Sequence, residues 1–427
     1  MSYDKISDYF EGVAAKYLSA VDADPGRSNG HEIGGLPSVG FKDYLGTPKK
    51  DEEFRFRAKQ VYISDELQAP VMDDSCVTWY DARRKQPHRS PEYRLYYYDS
   101  HVTDCIAPGD FFLVAKLRPG VLPPSAMPHS GSLLMVFTPA GSSIEHQLRA
   151  MFGLGSVGST FKPGKLDAVS MLLPLRIMLE NLGIEVESRA TSSADWLERL
   201  LLAFGGKEFP TTSVFSRFAR DSISKEVSPL GEPDTTLMAW MEHEEFLFKL
   251  YERHLVQERL RAGFGNDGQD VDAFINFSLS VQNRRKSRVG HAFEGHLHCL
   301  FQHHGLAFEQ GRGKGKVTEN DARPDFIFPS FSAYHDPHFP DANLIMLGAK
   351  TTCKDRWRQV LSEANRIAFK HLVTLEAAIS DAQLEEMRTR QLQLVVPTPI
   401  QSTYTAKQQD YLLNMASFID VVKRSQA

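Results

Sequence analysis

The spacing of apolar and polar positions changes character near the middle of the chain. Up to about residue 160, short runs rich in aromatic and β-branched residues alternate with turn chemistry: EFRFRAKQVYIS, VTWYDARR, YRLYYYD, FFLVAKLRPG and SLLMVFTPAG. Runs of this length, punctuated by Gly and Pro, predict strands of a mainly-β barrel or sandwich. One helix is expected around LDAVSMLLPLRIMLENLGI, against the objection of Pro174. The segment FGGKEFPTTS carries two glycines and a proline between apolar runs and marks a break. Domains are therefore expected at 1–190 and 207–427, with 191–206 as the linker.

Beyond the break the period lengthens. TTLMAWMEHEEFLFKLYERHLVQERLRAGF repeats apolar positions at three and four until GFGNDG stops it, and HAFEGHLHCLFQHHGL is a second helix. Short apolar runs (PDFIFP, LIMLGAK, LQLVVP) are interleaved with the helical DRWRQVLSEANRIAFKHL and a last helix near the C-terminus. That alternation predicts a mixed α/β sheet with covered faces.

Composition narrows the classes. The 427 residues are 42% hydrophobic with a formal net charge of −5, which excludes a disordered or collagen-like chain. With no global excess of basic residues, a nucleic-acid partner would have to be met by a local patch. Cys76, Cys105, Cys299 and Cys353 are far apart and form no CxxC pair, so neither a zinc ribbon nor a disulfide framework is indicated. The acidic start MSYDKISDYFEG has no signal-peptide pattern, and no apolar stretch nears the roughly 20 residues of a membrane span. A cytoplasmic protein is expected.

The strongest local chemistry lies between residues 324 and 363. Pro324-Asp325 opens the run Phe326–Phe328, and 25 residues later Lys350 ends LIMLGAK. A carboxylate and a lysine at the ends of two short strands suit metal-dependent phosphodiester cleavage. The carboxylate would hold Mg²⁺ against the scissile phosphate, and the lysine would orient the attacking water. In the PD-(D/E)XK nuclease pattern a second carboxylate lies two residues before the lysine, but that position is Gly348. Glu363, 13 residues past Lys350, shares a helical stripe with Arg356, Val360 and Ile367 and is the candidate replacement. Taken alone, the same residues also admit a turn, a solvated lysine and a Glu363–Arg366 pair.

Two basic segments are candidate DNA contacts. Asn283–Arg288 holds four cations in six residues, among them Arg285 and Arg288, and fits a phosphate-contacting edge or a solvated loop. Glu294, shortly after it, is either a supporting carboxylate or a surface residue. WYDARRKQPHRSPEYRLYYY interleaves Arg83, Arg84, Lys85, His88, Arg89 and Arg94 with aromatic residues, as a β-type groove reader would. Arg288 and Tyr334 also evoke a tyrosine recombinase, though only as a lone pair. Gly153–Gly158 matches GxGxxG, but a helix rather than a strand precedes it. His291, His296, His298, His303 and His304 are dense yet lack the spacing of a metal site.

LGAKTTCKDRWRQVLSEANRI, NRRKSRVGHAFEGHLHCLF, RPDFIFPSFSAYHD and LQLVVP together resemble the catalytic region of the EcoRII-type (type IIE) restriction endonucleases. AKYLSAVDADPGRSNGHEIGG and HRSPEYR resemble, more weakly, the effector DNA-binding domain of the same enzymes, a mainly-β pseudobarrel also found in certain plant transcription factors. The resemblance implies an α/β PD-(D/E)XK nuclease domain behind that pseudobarrel, with the second carboxylate displaced to the following helix. It implies Asp325, Lys350 and Glu363 as catalytic residues, with Asp325 and Glu363 on Mg²⁺. Lys354, Asp355 and Arg356 would read bases, and Arg288 and Tyr334 would lie at the DNA. In the N-terminal half it points to His31, Arg89, Glu92 and Arg94. The implied protein is a homodimer cutting double-stranded DNA at a CCWGG- or CCNGG-like site, regulated by a second copy of that site and accompanied by a protecting methyltransferase. A DNA-binding regulator without cleavage and a repair nuclease are the alternatives.

Overall fold

Among the described residues of the first half there are eight strands: β1 (Phe10–Tyr17), β2 (Glu32–Ile33), β3 (Phe54–Tyr62), β4 (Val71–Asp81), β5 (Tyr93–Tyr96), β6 (Phe111–Leu117), β7 (Ser132–Thr138) and β8 (Lys162–Pro163). They make one sheet in the order β2-β5-β4-β3-β7-β6-β1-β8, antiparallel except where β3 runs parallel to β7. Strand β3 alternates between buried and partly exposed side chains, so one of its faces is covered. All seven residues of β6 are buried. Phe56, Trp79, Phe112 and Phe137 anchor the core. The expected helix is present at Leu173–Asn181, and Pro174 sits in its first turn, where a missing N–H breaks no bond.

This computed structural model describes residues 6–23, 31–67, 69–86, 88–123, 129–154, 162–163, 173–184, 186, 193–265, 268–353 and 357–427. Its contacts separate two units, Met1–Arg189 with Ala378–Ser380, and Ala190–Ala377 with Asp381–Ala427. Among the described residues no helix is long and apolar enough to cross a membrane. Most of the GxGxxG segment lies outside them, and Gly153 follows the helix Ser143–Met151 in a left-handed conformation (φ 61°), as a helix stop does.

The second unit opens on helices. Residues 193–204, expected within the linker, form the helix Ser193–Phe204. Its Leu200 is fully buried in a cluster with Phe215, Phe246 and Tyr251, so apolar burial overrides the loop reading there. Thr212–Ser222 and Pro233–Ala262 follow. The next helix, Val271–His303, starts well before the expected His291, and the Asp270 side chain caps it by accepting from the Ala273 amide. The basic run 283–288 is thus helical.

The second sheet contains β9 (Glu309–Gln310), β10 (Phe326–Phe328), β11 (Ile345–Lys350), β12 (Lys370–Thr374) and β13 (Leu392–Val395) in the order β13-β12-β11-β10-β9. Strands β11, β12 and β13 are parallel, and β10 is antiparallel to both its neighbours. The histidines of the dense cluster disperse. His296 is fully buried between Glu244 (2.9 Å) and Arg220 (3.0 Å), His298 meets Gln310, and His304 meets the Pro229 carbonyl.

Candidate active site

Strand pairing brings Asp325 and Lys350 together. Phe326 registers with Leu347, so the residue just before β10 faces the C-terminal end of β11. Asp325 Oδ2 accepts from the Ala349 amide (2.7 Å) and from Lys350 Nζ (2.9 Å). A backbone amide and an ammonium on one oxygen fix the carboxylate's direction. Gly311 makes the approach of β9 possible, because a Cβ there would lie 2.3 Å from the Pro324 carbonyl oxygen.

Gly348 explains why the second carboxylate is elsewhere. A Cβ at this position would lie 2.8 Å from Val360 Cγ2 and 3.2 Å from Val360 Cγ1. Val360 belongs to the short helix Trp357–Leu361, which packs over β11. A carboxylate at 348 is therefore excluded by the element that brings Glu363 in.

Glu363 is not on a helix, as its expected stripe with Ile367 required. The helix ends at Leu361, and Glu363 lies in the turn behind it. Its carboxyl is largely buried and Oε2 has no hydrogen-bond partner. Burial, and then the negative charge of Asp325, push its pKa up to about 7 against the pull of Lys350 and Lys370. Burial alone would lower the pKa of Lys350, but Asp325, then Glu363 and Glu294, outweigh it and raise it. Glu294 reaches the same field from the helix Val271–His303, where it pairs with Arg312. Burial and then Asp325 raise its pKa as well. Lys370, which no sequence pattern singles out, donates to the Leu361 carbonyl (3.2 Å) at the end of the short helix. Only the folding of β12 under that helix reveals it.

The charges of three carboxylates thus act on one lysine, which bonds Asp325. Among the described residues no three His, Cys, Asp or Glu side chains converge as a ready-made metal cage. An orphaned buried carboxylate oxygen beside Asp325 nevertheless fits a divalent cation, whose charge would relieve the repulsion.

The predicted DNA contacts divide sharply. Lys354, Asp355 and Arg356 lie outside the described residues. Arg288 is 5% exposed, paired with Glu244 (3.5 Å) and Glu245 and stacked on the Phe248 ring at 3.7 Å. Its expected phosphate contact is corrected, since an enclosed guanidinium held by two carboxylates joins helices instead. Arg288→Ala should lower stability by about 3 kcal/mol through the unpaired carboxylates, measured by urea unfolding; a loss below about 1 kcal/mol would refute this role. Arg285 bonds Glu252 (2.6 Å) yet remains 64% exposed and is still available to a phosphate. Tyr334 is also corrected: it is 3% exposed, and its hydroxyl donates to Glu319 (2.6 Å) rather than facing DNA.

In the first unit, Asp81 Oδ1 accepts from the amides of Arg83 (2.9 Å) and Glu92 (2.8 Å), pinching the loop between β4 and β5. Arg94 on β5 is clamped between Glu92 and Glu32 at 2.6 Å each, and Tyr80 also bonds Glu32. The Arg94 bond leads in holding the Glu92 carboxyl below its ordinary range. Arg89 is exposed at the loop. His31 packs edge-on against Tyr97 with Asp99 at 3.4 Å. Paired groups of both signs lie at one sheet end, and among the described residues of the loop Lys85, His88 and Arg89 are exposed.

Comparison with known proteins adds the relationships. The chain is 42% identical over 211 residues to the type II restriction enzyme EcoRII of Escherichia coli, covering 49% of this chain and 50% of that protein. It is 28% identical over 163 residues to the type II restriction enzyme SsoII of Shigella sonnei, covering 33% and 51% respectively. The chain thus spans about half the length of these curated relatives. Among solved structures, metal-depleted Ecl18kI with uncleaved DNA matches at 18% identity and TM-score 0.42, covering 55% of this chain and 84% of that one. The PspGI–substrate DNA complex matches at 17% and TM-score 0.39, covering 51% and 93%. The family model described as EcoRII C terminal matches residues 248–419, the stretch that holds Asp325, Lys350 and Glu363. The similarity to EcoRII-type restriction endonucleases is therefore carried by the second unit, where residues 248–419 match the EcoRII C-terminal family model.

Proposed function

We propose that this chain is a type II site-specific deoxyribonuclease whose second unit is a PD-(D/E)XK-type nuclease cutting both strands of DNA at a CCWGG- or CCNGG-like site. One observation supports the reading above the rest: Asp325 is fixed by Ala349 and Lys350 while the orphaned Glu363 carboxyl crowds it. Asp325 and Glu363 would hold Mg²⁺, with the Ala349 carbonyl as a further ligand. When bound, the ion polarises the scissile phosphate and neutralises developing charge. Lys350 Nζ orients the water for in-line attack on phosphorus. The water oxygen forms the new P–O bond, the bond to O3′ breaks, and the products carry 5′-phosphate and 3′-hydroxyl ends. Lys354, Asp355 and Arg356 would read bases, since lysine and arginine donate to guanine and aspartate accepts from cytosine. The first unit would bind a second, effector copy of the site through the pseudobarrel edge bearing His31, Arg89, Glu92 and Arg94. A cytoplasmic homodimer would match a near-palindromic target, with a cognate methyltransferase protecting the host.

The test is to incubate the purified protein with Mg²⁺ and unmethylated genomic DNA, with and without a second site-bearing duplex, and to sequence the ends. One CC-N-GG-type motif at every end, enhanced by the second duplex, is expected. Heterogeneous ends would favour a repair nuclease. Retained binding without cutting would favour a DNA-binding regulator.

A further inference from the structure

Glu363 needs explaining as a piece of backbone. It sits past the end of the helix Trp357–Leu361, and the next residue, Ala364, is buried with φ 49°, a left-handed conformation that alanine rarely adopts. Such a turn persists only where its surroundings over-determine it. Here three consecutive amides are captured from outside the turn. Ala364 N–H donates to Thr318 Oγ1 (3.3 Å), Asn365 N–H to Glu319 Oε2 (3.1 Å) and Arg366 N–H to the Tyr334 hydroxyl (3.2 Å). The acceptors are themselves tied together, because the Tyr334 hydroxyl donates to the Glu319 carboxylate at 2.6 and 2.7 Å. The Arg366 guanidinium closes the far side on the Asp336 carbonyl (2.7 Å) and Asp341 (2.6 Å). Burial would raise the Glu319 pKa, yet the Tyr334 hydroxyl and the donated amides hold it below the usual carboxylate range, so it stays an acceptor.

We infer that Thr318, Glu319 and Tyr334 are positioning residues that lock the turn at residues 364–366 and so aim Glu363 at the Asp325–Lys350 pair. They act through the backbone that follows the carboxylate, by way of the three captured amides. The inference rests on the nuclease reading of that site and names what lets a displaced carboxylate serve it. Tyr334 then matters to cleavage through its hydroxyl alone. The Phe replacement keeps the ring in place while removing the acceptor for Arg366 and the donor to Glu319.

The test uses the full-length chain with Tyr334→Phe, Thr318→Val and Thr318→Ser, and Tyr334→Phe combined with Ala364→Gly. Two quantities are read: the Mg²⁺ concentration for half-maximal cleavage, and hydrogen exchange of the 364–366 amides in metal-free protein. Tyr334→Phe and Thr318→Val should raise the Mg²⁺ requirement about 10-fold or more, as loss of a supporting shell commonly does. Metal-free binding of target DNA should be unchanged. Exchange at 364–366 should quicken about 10-fold while the strands β10 and β11 keep their protection. Thr318→Ser should behave better than Thr318→Val, and Ala364→Gly should recover part of the loss, because glycine takes the left-handed conformation without strain. Unchanged exchange and Mg²⁺ dependence in both Tyr334→Phe and Thr318→Val would overturn the inference, as would lost cleavage with exchange unaltered. If the unmutated chain cuts nothing at any Mg²⁺ concentration, the nuclease reading falls, and the exchange pattern alone still decides whether these residues hold the turn.

Discussion

Lys350→Ala is expected to abolish cleavage, by about 10³-fold or more, while leaving DNA binding intact. The lysine is the cation bonded to Asp325 at the strand ends, at 2.9 Å, and it lies in the field of Glu363 and Glu294 as well. Those carboxylates raise its pKa despite burial, so in the proposed mechanism its ammonium would orient water and stabilise charge building on the phosphate. Its removal takes nothing from the carboxylates that would hold the metal. The loss should therefore fall on the chemical step in single-turnover cleavage at saturating Mg²⁺, with target binding by gel shift in Ca²⁺ within about threefold of the unmutated chain. Lys350→Arg should not rescue, because a planar guanidinium differs in shape and reach from a compact ammonium. Cleavage by Lys350→Ala within about tenfold of normal would remove Lys350 from the mechanism.

Glu363→Gln should cost cleavage about as much, yet make the metal-free protein more stable at alkaline pH. The folded Glu363 pKa is raised from 4.5 to about 7, so the folded state binds this proton more tightly than the unfolded chain does. Stability from that source is complete below about pH 4.5 and is lost as pH rises to about 7. Above that, the buried charge beside Asp325 is a net burden of roughly 1–3 kcal/mol, since a tenfold difference in proton affinity is worth about 1.4 kcal/mol before solvent screening is allowed for. Glutamine keeps the shape and carries no charge. Thermal melts in EDTA should put Glu363→Gln above the unmutated chain at about pH 8 and level with it near pH 4.5. Mg²⁺ should then stabilise only the unmutated chain at the higher pH. Equal melting there in EDTA would show that Glu363 carries no such burden.

These expectations place the stability cost at the functional site, as with Ala364, whose strained backbone is held by residues 318–334. The arrangement also explains the departure from the usual nuclease spacing. Gly348 is not a missing carboxylate, because Val360 occupies the space that a side chain there would need.

Much was legible in the linear sequence, and for identifiable reasons. Strand runs such as FFLVAKL and IMLGAK are short apolar runs bounded by turn chemistry, the pattern of a buried strand. Asp325 and Lys350 were readable as neighbours because short strands joined in one sheet end near each other. Of the dense histidines, His296, His298 and His304 take protein partners while His291 is exposed. What the sequence could not decide depends on partners distant along the chain. The 283–288 run is basic in either reading, but only the helix Pro233–Ala262, with Glu244, Glu245 and Phe248 on the facing side, makes Arg288 an internal ion pair. The 193–204 segment repeats apolar residues at three and four and so carries a helical pattern that the Gly-rich flank obscured, and Leu200 is buried because Phe215 and Tyr251 cover it. The structure puts Glu363 in the turn behind the helix rather than on it. Local periodicity extends the helix through Ile367, whereas Thr318, Glu319 and Tyr334 capture the amides that would have continued it. Periodicity and residue chemistry by themselves determined the strands and helices and singled out Asp325 and Lys350 at two strand ends. The tertiary structure alone decided which charges are spent inside the fold and which remain for a ligand, because that depends on burial and on hydrogen bonds between residues far apart in sequence.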